Sequence, residues 1–178
     1  MSRMPLPACA VVAFACLLGV SLAAAQARDM PITLDPPAGF TRSGHFPGYE
    51  KPESAASILI SEMSAPLEQV RPTLSIDALA ARGIRMLAAE ELDVDGYQAL
   101  LLHLSQTASG EDFEEWMLVL GEGDRSVMLL GTYPAELAGE LRDAMRTSLL
   151  SVKWNRATRL ALAPPSAHPV LSTRLATR

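Results

Sequence analysis

The chain has 178 residues, 15 basic and 20 acidic, for a formal net charge of −5, and 49% of its residues are hydrophobic against 5% aromatic. That length suits one domain, since domains mostly run to about 100–200 residues. The composition is too apolar for a disordered chain and its charge too acidic for a general nucleic-acid binder.

Arg3 is the only charge ahead of a long apolar run, residues 8–25, that holds Val11, Phe14, Leu17, Leu18 and Leu22. Ala23-Ala24-Ala25 and Ala25-Gln26-Ala27 both fit the A-x-A pattern of a signal-peptidase site, so residues 1–27 read as an export signal cleaved near Ala25 or Ala27. The alternative is a retained membrane anchor, because about 18 apolar residues is near the lower limit for a span. Gly19, Ser21 and the alanine-rich end favour cleavage. Cys9 comes too early and Cys16 lies mid-run, which disfavours a lipoprotein. The processed chain would hold no cysteine, hence no disulfide and no thiolate metal site. Residues 28–154 carry ten basic against twenty acidic side chains, whereas residues 155–178 hold Arg156, Arg159, Arg174 and Arg178 and no acid.

Prolines are dense before residue 73, absent from 73 to 133, and return in the tail, so continuous hydrogen-bonded structure is expected in the middle. Residues 30–34 read as a short edge strand, followed by a turn at Asp35-Pro36-Pro37-Ala38-Gly39. Residues 44–54 are expected to form a loop, and 57–63 a strand with a buried middle. A helix capped by Thr73 or Ser75 would place Ile76, Leu79, Ala80 and Leu87 roughly on one face, with Gly83 weakening or ending it. Residues 84–91 are compatible with helix or strand. Asp95-Gly96 suits a type I′ hairpin, and turns at 108–111 and 121–124 extend the strands 97–107, 113–120 and 126–133 into an antiparallel meander. A last helix is expected from Pro134, with Leu137, Leu141, Ala144, Met145 and Ser148 on one face, before a closing strand at 151–154. Together these elements make an α+β domain over residues 28–154, with a basic, proline-containing and disordered tail over 155–178.

The Pro37-Ala38-Gly39-Phe40 turn, the helix before the Asp95-Gly96 hairpin, the Trp116 strand and the late helix ending in Ser151-Val152-Lys153-Trp154 resemble the PsbP-like family in order and spacing. The resemblance covers about residues 30–154 and implies an α/β/α sandwich. It also implies a non-catalytic accessory or binding role, often outside the cytoplasm. It carries over no metal-binding or partner-binding residue.

Three sets of residues bear on chemistry. His45, Phe46 and Tyr49 share an aromatic-rich loop that could contact a small ligand or metal, or simply cap one end of the core. His103 lies among leucines, with Leu100, Leu102 and Leu104 expected to face the core; it could serve as a hydrolase base if a carboxylate such as Glu115 came within reach. Glu111, Asp112, Glu114 and Glu115 are expected to form a solvated acidic rim, with 114 and 115 on opposite faces; Asp93 and Asp95 lack the further oxygens of a calcium loop. No nucleophile elbow, zinc-protease pair, Walker loop or dinucleotide fingerprint is present. The expectation is a non-catalytic exported protein engaging another envelope protein, without cofactor or nucleic acid, its basic tail making at most weak contact with an anionic membrane surface.

Overall fold

The computed structural model describes residues 32–155. The signal segment with its cleavage sites, Met30 and Pro31 of the first expected strand, and the tail beyond Asn155 lie outside these residues. Strands β1 (Ile32–Thr33), β2 (Thr41–Arg42), β3 (Gly48–Lys51) and β4 (Ala56–Met63) come first, followed by two short helices, α1 (Leu67–Val70) and α2 (Ile76–Ala80). The long strands β5 (Ile84–Val94), β6 (Tyr97–Ala108), β7 (Glu111–Glu122) and β8 (Arg125–Pro134) then lead to α3 (Ala138–Leu150) and β9 (Lys153–Trp154).

Seven strands form one antiparallel sheet in the order β2-β3-β4-β8-β7-β6-β5, and β1 pairs with β9 in a separate two-stranded ladder. The β5–β6 turn holds Asp95 and Gly96 at φ 56° and 80°, as a type I′ hairpin requires, and Asp93 Oδ1 accepts the Gly96 N–H at 3.0 Å. Each face of the sheet has its own core. Leu101, Leu118, Leu129, Ile58 and Trp116 pack under α3, while Leu100, Leu102, Leu104, Met117 and Leu130 pack with Leu67 and Leu79 of α1 and α2. This is an α/β/α sandwich. It explains why the middle of β6 reads as an unbroken apolar run: alternation still sorts the residues, but both faces are dry.

Helix α3 lies close to the strands because Gly131 leaves room for it. A Cβ at Gly131 would come 2.5 Å from Met145 Cγ and Sδ. Three ion pairs tie the helix to three strands: Lys51–Glu140 at 3.4 Å, Arg142–Glu114 at 2.6 Å and Arg146–Glu90 at 2.8 Å.

Several sequence expectations need correction. Residues 44–54 are not all loop: Gly48–Lys51 form β3, where Gly48 sits at φ 144° and a Cβ would fall 1.9 Å from the Ile58 carbonyl oxygen. The helix at 76 is capped by Ser75, whose Oγ accepts the Ala78 N–H, and it ends by Ala80. Gly83, at φ 77°, then turns the chain into β5, so Leu87 is an exposed strand residue and Ile76 is 65% exposed. The apolar spacing expected to set both on one helical face is instead split between α2 and β5. Pro134 ends β8 instead of starting the helix, and a 3₁₀ turn at Ala135–Leu137 intervenes. Leu101 is as buried as Leu100 and Leu102, because helices cover both faces.

Candidate functional site

Pairing of β6, β7 and β8 gathers a polar cluster beneath α3. His103 stands opposite Trp116, and Glu114 stands between Ser105 and Tyr133. The His103 ring stacks on Trp116 with centroids 4.3 Å apart and planes 12° off parallel, and its Nε2 lies 3.0 Å from Glu114 Oε2. Glu114 also accepts from Arg142, Nη2 to Oε1 at 2.6 Å and Nε to Oε2 at 2.9 Å, and from the Tyr133 hydroxyl at 3.2 Å. Arg146 reaches over the Trp116 ring, 5.9 Å from its centroid.

The Arg142 fork beside Glu114 holds its carboxyl down at about 2, with the His103 contact adding to the effect and burial opposing it. Burial and the adjacent Glu114 charge push the Tyr133 phenol well above its ordinary range, and the Arg142 guanidinium is held charged. At neutral pH the cluster therefore contains an ionised carboxylate, a protonated phenol and a guanidinium.

Glu115 faces the opposite layer. It is 1% exposed, accepts from Gln106 Nε2 at 2.6 Å and from the Thr132 hydroxyl at 3.3 Å, and its Oε2 has no partner among the described residues. Burial pushes its carboxyl up to about 7, against the two hydrogen bonds.

The carboxylate beside His103 is thus Glu114, not Glu115. Counting back from the turn at 109–110 sets Ser105 opposite Glu114 and Leu104 opposite Glu115. The same alternation that separates 114 from 115 therefore already sorted which one could meet a β6 histidine. The solvated rim is also corrected: Glu111 and Asp112 are exposed, Glu114 is mostly enclosed and Glu115 is buried. What sequence reasoning missed were Arg142, Arg146 and Tyr133, because partners from α3 and β8 converge only once the helix folds back onto the sheet.

The residues of the 45–49 segment take separate places. His45 is exposed, with its backbone N–H bonded to Ser43 Oγ at 3.1 Å. Phe46 packs against the core beneath α1 and α2, while Tyr49 is buried in the core beneath α3 with Arg42 over its ring. The three side chains do not share one face of the sheet.

A histidine backed by a carboxylate can move protons, but here both carboxylate oxygens are committed to Arg142 and Tyr133, and one ring face of His103 is covered by Trp116. Among the described residues no hydroxyl is hydrogen-bonded to His103, and no group of three or more His, Cys, Asp or Glu side chains could hold a metal ion. Two open grooves, about 360 and 310 Å³, lie elsewhere: one between Pro36, Pro37 and Thr147, the other beside Glu68, Gln98 and Gly123. No described helix is long and apolar enough to cross a membrane.

No family model matches the chain, and no curated protein matches it. Among solved structures it is similar to LpqN of Mycobacterium tuberculosis, described as involved in cell envelope biogenesis: TM-score 0.52, 14% identity, covering 68% of this chain and 82% of LpqN. A Pseudomonas aeruginosa protein of unknown function aligns with TM-score 0.49 and 16% identity over 70% of this chain and 83% of its own. Cyanobacterial PsbP from Synechocystis sp. PCC 6803 aligns with TM-score 0.49 and 11% identity over 75% of this chain and 98% of its own. The α+β architecture read from the sequence, an α/β/α sandwich, is the one observed, and the likeness to LpqN is a likeness of fold.

Proposed function

We propose that this is an exported, non-catalytic accessory protein that engages another protein of the cell envelope. One observation carries the non-catalytic part: the histidine–carboxylate pair is spent on structure. His103 is stacked on Trp116, and Glu114 is closed off by a two-pronged Arg142 contact and by Tyr133. A base that must exchange protons with a substrate needs an open side and a partner oriented only toward it. This one fastens a helix. The envelope setting is supported by the signal-like residues 1–27 and by the fold shared with LpqN.

The test uses the tagged full-length protein in its own cells. Mass analysis of the processed N-terminus is expected to place cleavage after Ala25 or Ala27. Crosslinking followed by capture from envelope extract is expected to retain one protein, which then rebinds the purified chain saturably. Capture at background level, or substrate turnover abolished by His103→Ala, overturns the proposal.

A further inference from the structure

One edge of the main sheet is β2, two residues long, and the other is β5, eleven residues long, with no strand on its outer side among the described residues. A long open edge is a template for pairing with another strand. Leu87, in the middle of β5, is 41% exposed and is one of two large hydrophobic side chains so exposed among the described residues. Ala88 and Ala89 beside it are exposed too.

Charge along this edge has a direction. Arg85 lies near its start, and Glu90, Glu91 and Asp93 lie toward its end. An antiparallel second copy would set the basic half of each strand against the acidic half of the other. A parallel copy in register would set like against like.

The bulge decides whether that match is geometrically available. Two strands that pair about a two-fold axis normal to the sheet bring together residues on the same face. Residues five apart on a regular strand point to opposite faces. Here pairing with β6 slips between Met86 and Ala88, so Arg85 stands opposite Ser105 and Glu90 opposite Leu101. Ser105 and Leu101 are four apart on β6 and share the face beneath α3. The extra residue has therefore put Arg85 and Glu90 on one face. That register sets Arg85 against Glu90 of the partner subunit and Met86 against Ala89 of the partner subunit, with Leu87 and Ala88 at the axis.

We propose that β5 is a homodimer edge, joining two seven-stranded sheets antiparallel through two Arg85–Glu90 contacts around the Leu87-Ala88-Ala89 centre. Charges and bulges on an edge also serve to keep it single. In this strand their order attracts an antiparallel copy and rejects a parallel one. Glu90 already accepts from Arg146 Nη2 through Oε2, and its second oxygen leaves capacity for an arginine from across the axis.

Sedimentation velocity of the purified protein over a concentration series tests this, with circular dichroism confirming that each variant folds. The parent chain is expected to show a monomer–dimer equilibrium that Leu87→Lys weakens. Arg85→Glu and Glu90→Arg each create two like-charge contacts in their own homodimers and should weaken association about tenfold or more. Mixing these two variants restores opposite charges at both contacts, so the mixture should form a heterodimer that neither forms alone. The loss of Arg146–Glu90 within the Glu90→Arg chain is the same alone or mixed, so it does not obscure the comparison. A parent that stays monomeric into the high micromolar range overturns the proposal. So do variants that dimerise like the parent, or a mixture that remains monomeric.

Discussion

Glu114 and Glu115 are adjacent in the chain, yet the carboxyl of Glu114 is held at about 2 on the face beneath α3 while that of Glu115 is pushed up to about 7 on the other face. Strand alternation alone separates them. One meets the Arg142 guanidinium and the other is buried among leucines, with Gln106 and Thr132 as its donors.

Their effects on stability run in opposite directions with pH. Unfolded, Glu115 would release its proton near 4.5; folded, it keeps it to about 7. Its favourable contribution is complete below about pH 4.5 and is lost as pH rises through 7, a difference on the order of 3 kcal/mol. Glu115→Gln is therefore expected to be more stable than the parent at pH 8 and to match it near pH 4, read from urea unfolding at both values.

Glu114 behaves in reverse. Its contribution is present above the unfolded value of 4.5 and disappears as pH falls through about 2. Glu114→Gln should cost about 2 kcal/mol at neutral pH, because a hydrogen-bonded charge facing Arg142 is lost. The gap between variant and parent should close as the solution is acidified toward pH 2, in the same urea series.

His103 is expected to matter for stability through its ring. His103→Ala removes the stack on Trp116 and one contact of Glu114, and should lower the unfolding midpoint. His103→Phe keeps an aromatic plane against Trp116 and should recover part of the loss. A thermal melt of the two variants distinguishes packing from hydrogen bonding.

Gly131 sets the distance between α3 and the sheet. Gly131→Ala drives a methyl into Met145 and should cost about 1–3 kcal/mol, as overpacking does. In a Met145→Ala background the same change should cost much less. A double-mutant cycle from denaturant unfolding measures the difference.

Much of the fold was legible because its signals are local. Asp95-Gly96, Ser109-Gly110 and Gly123 supply the left-handed conformations that turn the meander, and no proline interrupts it. The stretch from Arg71 to Glu91 was harder to read. A 3₁₀ turn at Arg71–Leu74, the short helix α2 and the edge strand β5 follow one another there, and apolar spacing through Ile76 and Leu87 imitated a single helical face although both side chains are exposed. β3 was hidden by its content: Gly48, Glu50 and Lys51 make a strand only because β4 offers an edge. The polar cluster was half visible. The β6–β7 register follows from the turn, whereas Arg142 reaches Glu114 only through tertiary packing across 28 positions of sequence.

The β1–β9 ladder sets Ile32 opposite Trp154 and Thr33 opposite Lys153, so the polypeptide enters and leaves the domain side by side. A force applied through the two ends would first load this short clasp and the Tyr97 and Asp95 contacts that hold Trp154 to the β5–β6 hairpin. Mechanically the clasp is a fuse. Tension along the chain would be absorbed at the seam, while the face beneath α1 and α2 kept its shape.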